Sequence, residues 1–123
     1  MDSGGVSFLA GRSLEAGEML SDFKGRGLLP PIVPSPVLIE CLQGHAGRDA
    51  ETNRFLKFCD ILEHIDATLV RRAGHVRTRA GRGSAVDALV VAAAEPGGTV
   101  LTSDYGDLSA LAAYANDVVV IAI

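Results

Sequence analysis

The chain has 123 residues and a net charge of −4; 48% of its residues are hydrophobic and only 5% aromatic. That length gives one domain, 1–123, with a single aliphatic core. No apolar run approaches the ~20 residues of a membrane-spanning helix, and the N-terminus lacks the charged and apolar regions of a secretory signal, so a cytoplasmic protein is expected.

Asp2-Ser3-Gly4-Gly5 opens the chain where a strand is expected to end, with the glycines permitting a tight turn. Ser13 is positioned to cap a helix through about Lys24, which Gly25-Arg26-Gly27 stops. Leu28 to Val33 reads as a short strand near an edge, because Pro30 and Pro31 withhold backbone donors. Ser35-Pro36 is a strong helix start, and the helix is expected to run from Val37 to Gln43, broken by Gly44. Asp49 is predicted to cap a helix to about Phe58, and Ile61–Ile65 alternates as a strand.

Asp66 begins a helix over 67–79, and Gly81-Arg82-Gly83 is a loop. Ser84 starts an apolar helix ended by Pro96-Gly97-Gly98. Thr99–Ser103 is a strand, Asp104 or Asp107 caps a helix to about Ala115, and Val118–Ile123 is a final apolar strand. Strands covered on both faces read as continuous Val/Ile/Leu runs. Their alternation with helices predicts an α/β three-layer sandwich around a mainly parallel sheet.

Charge is unevenly spread. Arg71, Arg72, Arg77, Arg79 and Arg82 form a stretch free of acids, while residues 83–123 contain no Lys or Arg. The basic stretch is a candidate for holding a polyanion, although a solvated helix face is the stronger reading for any one arginine. Cys41 and Cys59 lie in apolar segments without a Cys/His cluster, so both read as structural thiols. His45, His64 and His75 show no ligand spacing, and Asp117 reads as a turn residue.

The acids carry the chemistry. In open α/β sheets the functional crevice lies outside the carboxyl ends of the strands. Asp104 follows a strand directly, Asp87 and Glu40 lie in early helical turns, and Asp2 stands where the first strand is expected to end. Ser84-x-x-Asp87 also fits a simple capping box, and Asp104 with Asp107 has the same spacing. Glu40 lies beyond capping reach of Ser35 in an apolar helix, and a buried, unpartnered carboxylate is costly, which favours a functional role. Clustered carboxylates raise one another's pKa, and a hard cation such as Mg²⁺ or Mn²⁺ relieves the repulsion. Such a site supports hydrolysis of phosphodiesters.

In this order and spacing the acids resemble those of the PIN domain family, in particular VapC-type toxins of bacterial type II toxin–antitoxin pairs. Asp2-Ser3-Gly4 looks like the family's first-strand acid with its following hydroxyl residue. Glu40 looks like the helix acid, Ser84-Ala85-Val86-Asp87 like the third acid, and Thr102-Ser103-Asp104 with Asp107 like the fourth and its neighbour. The resemblance implies a Mg²⁺- or Mn²⁺-dependent endoribonuclease with Asp2, Glu40, Asp87 and Asp104 as catalytic residues. Asp2, Asp87 and Asp104 would be the metal ligands, supported by Ser3, Ser103 and Asp107. It further implies an RNA substrate, a cognate antitoxin and a homodimer. Family members carry several apolar residues ahead of the first acid; here only Met1 precedes Asp2, so the first strand reads as truncated, either because the start is placed a few residues late or because most of the strand is lost.

Three rival readings stand beside this one. Receiver-type phosphoryl transfer needs a late lysine, and none follows Lys57. Haloacid-dehalogenase-type phosphatases need a second acid two residues after the first, where Gly4 stands. A catalytically inactive PIN-like domain acting through protein pairing is the remaining alternative.

Overall fold

The computed structural model describes residues 1–123. In chain order the elements are α1 (Ser3–Ala10), α2 (Leu14–Gly25), β1 (Ile32–Pro34), a single 3₁₀ turn (Ser35–Val37), α3 (Leu38–Cys41), α4 (Ala50–Leu56), β2 (Asp60–Leu62), α5 (Ala67–Ala80), α6 (Ala85–Ala93), β3 (Thr99–Thr102), α7 (Tyr105–Ala112) and β4 (Val119–Ala122). The fold is mixed α/β, with every strand pair parallel. No helix is long and apolar enough to cross a membrane.

The strands do not form one sheet. β1 pairs with β2 from Ile32↔Asp60 to Pro34↔Leu62, and β3 pairs with β4 from Thr99↔Val119 to Thr102↔Ala122. Between the two pairs stand Met1 and Asp2. The Met1 amine donates to Ile32 O at 3.0 Å, and the Asp2 N–H donates to Leu101 O at 3.5 Å.

Local signals fixed most helix starts. The Ser13 and Asp66 side chains accept from Ala16 N–H and Leu69 N–H, as N-caps do. Gly81 ends α5 in the left-handed region, at φ 67°. The larger core cluster joins Val6 of α1, Val33 of β1, Val76 of α5, Val90 and Val91 of α6, Val100 of β3, and Leu108 and Leu111 of α7. A smaller one gathers Leu9, Ala16, Phe23 and Leu101.

Four readings of the sequence are corrected. Residues 3–10 form a helix rather than a tight turn, capped by Asp2. The helix expected from Val37 to Gln43 is one 3₁₀ turn and one short α-turn, and Leu42 is already extended. The strand expected over Ile61–Ile65 is displaced to Asp60–Leu62. Asp49 does not cap α4 with its side chain; its carboxylate turns back to accept from Gln43 N–H at 3.0 Å and His45 N–H at 3.1 Å, closing the 43–49 loop.

Candidate acidic site at the end of β3

Asp2 is the one acid of the expected set that is buried, at 5% exposure. Two donors hold it there. Gly5 N–H donates to Oδ1 at 2.8 Å, which caps α1, and the Thr102 hydroxyl donates to Oδ2. Thr102, the last residue of β3, is fully buried. Its hydroxyl oxygen also accepts from Asp104 N–H at 2.8 Å. One hydroxyl therefore joins the acid at the start of the chain to the loop that carries the acid at the end of β3.

Gly4 and Gly5 make this approach possible. A Cβ on Gly4 would overlap the Ser103 side chain, and one on Gly5 would stand 2.8 Å from Leu101 O. α1 thus lies against the carboxyl end of β3 closely enough for its cap to reach Thr102, with Ser3 as its first residue.

The other acids are arranged differently. Asp87 closes a capping box: Ser84 Oγ accepts from Asp87 N–H at 3.0 Å, and Asp87 Oδ2 accepts from Ser84 N–H at 2.8 Å. Asp104 is exposed and caps α7, with Oδ1 accepting from Asp107 N–H at 3.2 Å. Asp107 is paired with Arg82 at 2.6 Å. Glu40 is exposed, against the expectation of a buried helix acid, because α3 is one turn long and Ile39 beside it is itself 81% exposed. Glu40 is therefore a solvated carboxylate and bears no burial cost.

No three His, Cys, Asp or Glu side chains are grouped closely enough to hold one ion. The convergence of Asp2, Glu40, Asp87 and Asp104 into one cluster is thus not present in this geometry. The partial fit is Asp2 with Asp104, linked through Thr102. Thr102 reaches the backbone N–H of Asp104, while the Asp104 carboxylate turns to cap α7 and both Asp2 oxygens already accept hydrogen bonds.

The basic stretch is largely engaged within the fold. Arg72 makes a bidentate pair with Glu95, at 2.8 and 2.6 Å, and donates to Tyr114 O at 3.1 Å. Arg77 donates to Gly83 O, Arg79 lies 5.5 Å from the centre of the Tyr114 ring, and Arg82 holds Asp107. These contacts tie α5 and the loop after it to the α6 and α7 region. Of the five arginines, Arg72 and Arg82 are paired with acids, while Arg71, Arg77 and Arg79 are exposed and carry no ion pair.

The titrating groups follow from these contacts. The Arg72 hydrogen bonds, with that from Asn116 N–H, hold the Glu95 carboxyl below the ordinary range. The backbone N–H groups of Gln43 and His45 do the same for Asp49. Both cysteines are free and half-buried, and burial, with nearby acids, pushes each thiol up to about 11. Burial pulls the Met1 amine down to about 6 against the opposing effect of Asp2. Asp117 sits at φ 56°, as its reading as a turn residue predicts.

Thr102 is the residue of this arrangement that reading the acids alone passes over. Its signal was a hydroxyl residue two positions before Asp104, the spacing of a side chain that receives a backbone N–H in a turn. Compared with protein-family models, with characterised proteins and with solved structures, the chain matches none.

Proposed function

We propose that this chain is a PIN-like domain that hydrolyses RNA phosphodiesters with the help of Mg²⁺ or Mn²⁺ at the carboxyl end of β3. The observation that supports this best is the Asp2–Thr102–Asp104 linkage, a buried acid tied through one hydroxyl to the backbone N–H of the residue that carries the strand-end acid. In this reading Thr102 and the N-terminus of α1 fix the Asp2 carboxylate, and Asp104 presents the second, solvent-facing carboxylate. Asp87 and Glu40, the other acids of the family pattern, stand outside this pair, Asp87 in its capping box and Glu40 exposed on α3. Ser3, Ser103 and Asp107 support the pair, Asp107 being held by Arg82. The ion, when bound, supplies Lewis acidity toward a phosphoryl oxygen.

The order Asp2, Glu40, Asp87, Asp104 along the chain also supports a toxin of a type II toxin–antitoxin pair. Such a protein acts in the cytoplasm as a homodimer, under an antitoxin that covers the acidic rim. The assay is Mn²⁺- or Mg²⁺-dependent cleavage of structured RNA by wild type, Asp87→Asn and Asp104→Asn. Metal-dependent cleavage lost in both variants supports the reading; equal cleavage by all three proteins removes it.

A second reading, a catalytically silent PIN-like domain acting through protein pairing, is favoured by one observation. The Asp87 carboxylate is committed to its capping box, and no three acids converge. It predicts normal folding with no response to Mn²⁺.

A further inference from the structure

Arg82, the last Lys or Arg of the chain, stands at the acidic end of β3. Its Nη2 and the Asp104 Oδ1 lie 3.5 and 3.8 Å from the point a Cβ would take on Gly106. Gly106 puts no side chain between this cation and the strand-end acid.

The loop that carries Arg82 is fixed on both sides. Gly81 and Gly83 flank it at φ 67° and 88°, a backbone region that side chains disfavour. A Cβ on Gly83 would stand 2.7 Å from Leu111 Cδ1, so the loop lies directly on α7. Arg77 Nε donates to Gly83 O at 2.9 Å. Arg82 then reaches Asp107, with Nε and Nη2 both 2.6 Å from the same Oδ1. Its side chain remains 57% exposed, and Nη1 makes no hydrogen bond to the protein. An ion pair this exposed adds little to stability. A fixed guanidinium with free N–H groups, however, is suited to bind phosphate oxygens.

The seam between α5 and α7 continues away from Arg82. Tyr114, just past the end of α7, is 44% exposed and lies under the Arg79 guanidinium, 5.5 Å from the ring centre. Arg79 is exposed and makes no ion pair. From Asp107 to Tyr114 the helical rise covers roughly 10 Å. The two arginines are therefore spaced for different phosphates of one strand.

We propose that this seam is the track for an unpaired stretch of RNA. Arg82 holds the phosphate nearest Asp104, and Arg79 with Tyr114 takes a nucleotide farther along. Single strands are bound by cations that follow the backbone and by planar groups on which bases stack. The seam offers both. A double helix keeps its bases stacked on one another and away from the Tyr114 ring, so unpaired RNA is the favoured form. The strand-end acids repel a polyanion, and Arg82 offsets that repulsion where the strand meets Asp104. The proposal deepens the ribonuclease reading and rests on it for RNA as the strand.

The test is fluorescence anisotropy of a labelled single-stranded oligoribonucleotide in EDTA, with Mn²⁺-dependent cleavage read separately. Wild type is expected to bind. Arg82→Ala should weaken binding about 10-fold or more, and Arg79→Ala and Tyr114→Ala about 5-fold each. Arg82→Ala should also lower the salt slope of binding by about 1. Arg82→Lys keeps the charge without the fork and should fall between wild type and Arg82→Ala. Arg26→Ala removes another exposed, acid-paired arginine, on α2, and should change affinity less than about 2-fold. The same oligonucleotide annealed to its complement should bind more weakly than the single strand. Each variant should melt within about 2 °C of wild type, because exposed pairs contribute little. Should Arg82→Ala not fold, Arg82→Lys and Arg79→Ala decide. No binding by wild type, equal loss in Arg26→Ala and Arg82→Ala, or a duplex bound as tightly as the single strand would overturn the inference. Binding that follows the seam without any cleavage supports the inference and removes the ribonuclease reading alone. Cleavage with a KM indifferent to Arg79 and Arg82 overturns the inference and leaves that reading standing.

Discussion

Thr102 donates its hydroxyl proton to the Asp2 carboxylate, across 100 positions of sequence. The same oxygen receives Asp104 N–H. Removing it strands an acid and a backbone donor together. Thr102→Val keeps the shape and loses both bonds, and should cost about 1–3 kcal/mol in urea unfolding, with Thr102→Ser well below that. A neutral Thr102→Val would mean that the hydroxyl does not hold Asp2.

Gly4→Ala places a methyl group into Ser103, and Gly5→Ala places one against Leu101 O and the Met1 side chain. Each should destabilise by about 1–3 kcal/mol despite the better helix propensity of alanine. Gly17 has nothing within 4 Å of its missing Cβ, so Gly17→Ala in α2 is the control and should be neutral or stabilising. Chemical denaturation of the three variants checks the ranking.

These glycines also mark where the sequence misled. Two consecutive glycines argue against a helix on propensity, yet α1 needs them because its backbone lies against β3. Capped helices such as α5 and α6 were legible because Asp66 and Ser84 announce their own starts. Glu40 was misjudged because an apolar neighbourhood in sequence implied burial, whereas α3 ends before anything covers it. Splitting of the sheet into two pairs was beyond reading from the strands themselves, since it depends on what occupies the gap between Ile32 and Leu101. The basic stretch misled for a similar reason: Arg72 has partners 23 and 42 positions away, Glu95 and Tyr114, and Arg82 pairs with Asp107, 25 positions away.

Arg72 and Glu95 set an acid limit on stability. Arg72 holds the Glu95 carboxyl below its ordinary value, so the folded state binds its proton more weakly than the unfolded chain. This contribution is complete above the ordinary Glu value of about 4.3 and is lost as pH falls through the lower folded value. Arg72→Ala should cost about 1–2 kcal/mol at pH 7, given a bidentate pair that is partly exposed. It should also flatten the fall of stability below pH ~4, measured by thermal melts across the acid range.

Cys41 and Cys59 should be unreactive in the folded protein. With thiols near 11, the thiolate that attacks an alkylating agent is scarce at neutral pH. Iodoacetamide at pH 7.5 should modify both far more slowly than in urea-unfolded chain. Rapid labelling of the native protein would contradict the burial described for these side chains.

The acidic crevice stands or falls on whether it takes a divalent ion. Thermal melts during Mn²⁺ titration measure this directly, because a ligand of the native state raises Tm, by the equivalent of about 2.7 kcal/mol at 100 times its dissociation constant. The account predicts a saturable rise in wild type that is lost in Asp104→Asn, an exposed position where the substitution leaves the fold intact. A wild-type Tm that does not move with Mn²⁺, or moves equally in Asp104→Asn, would contradict it.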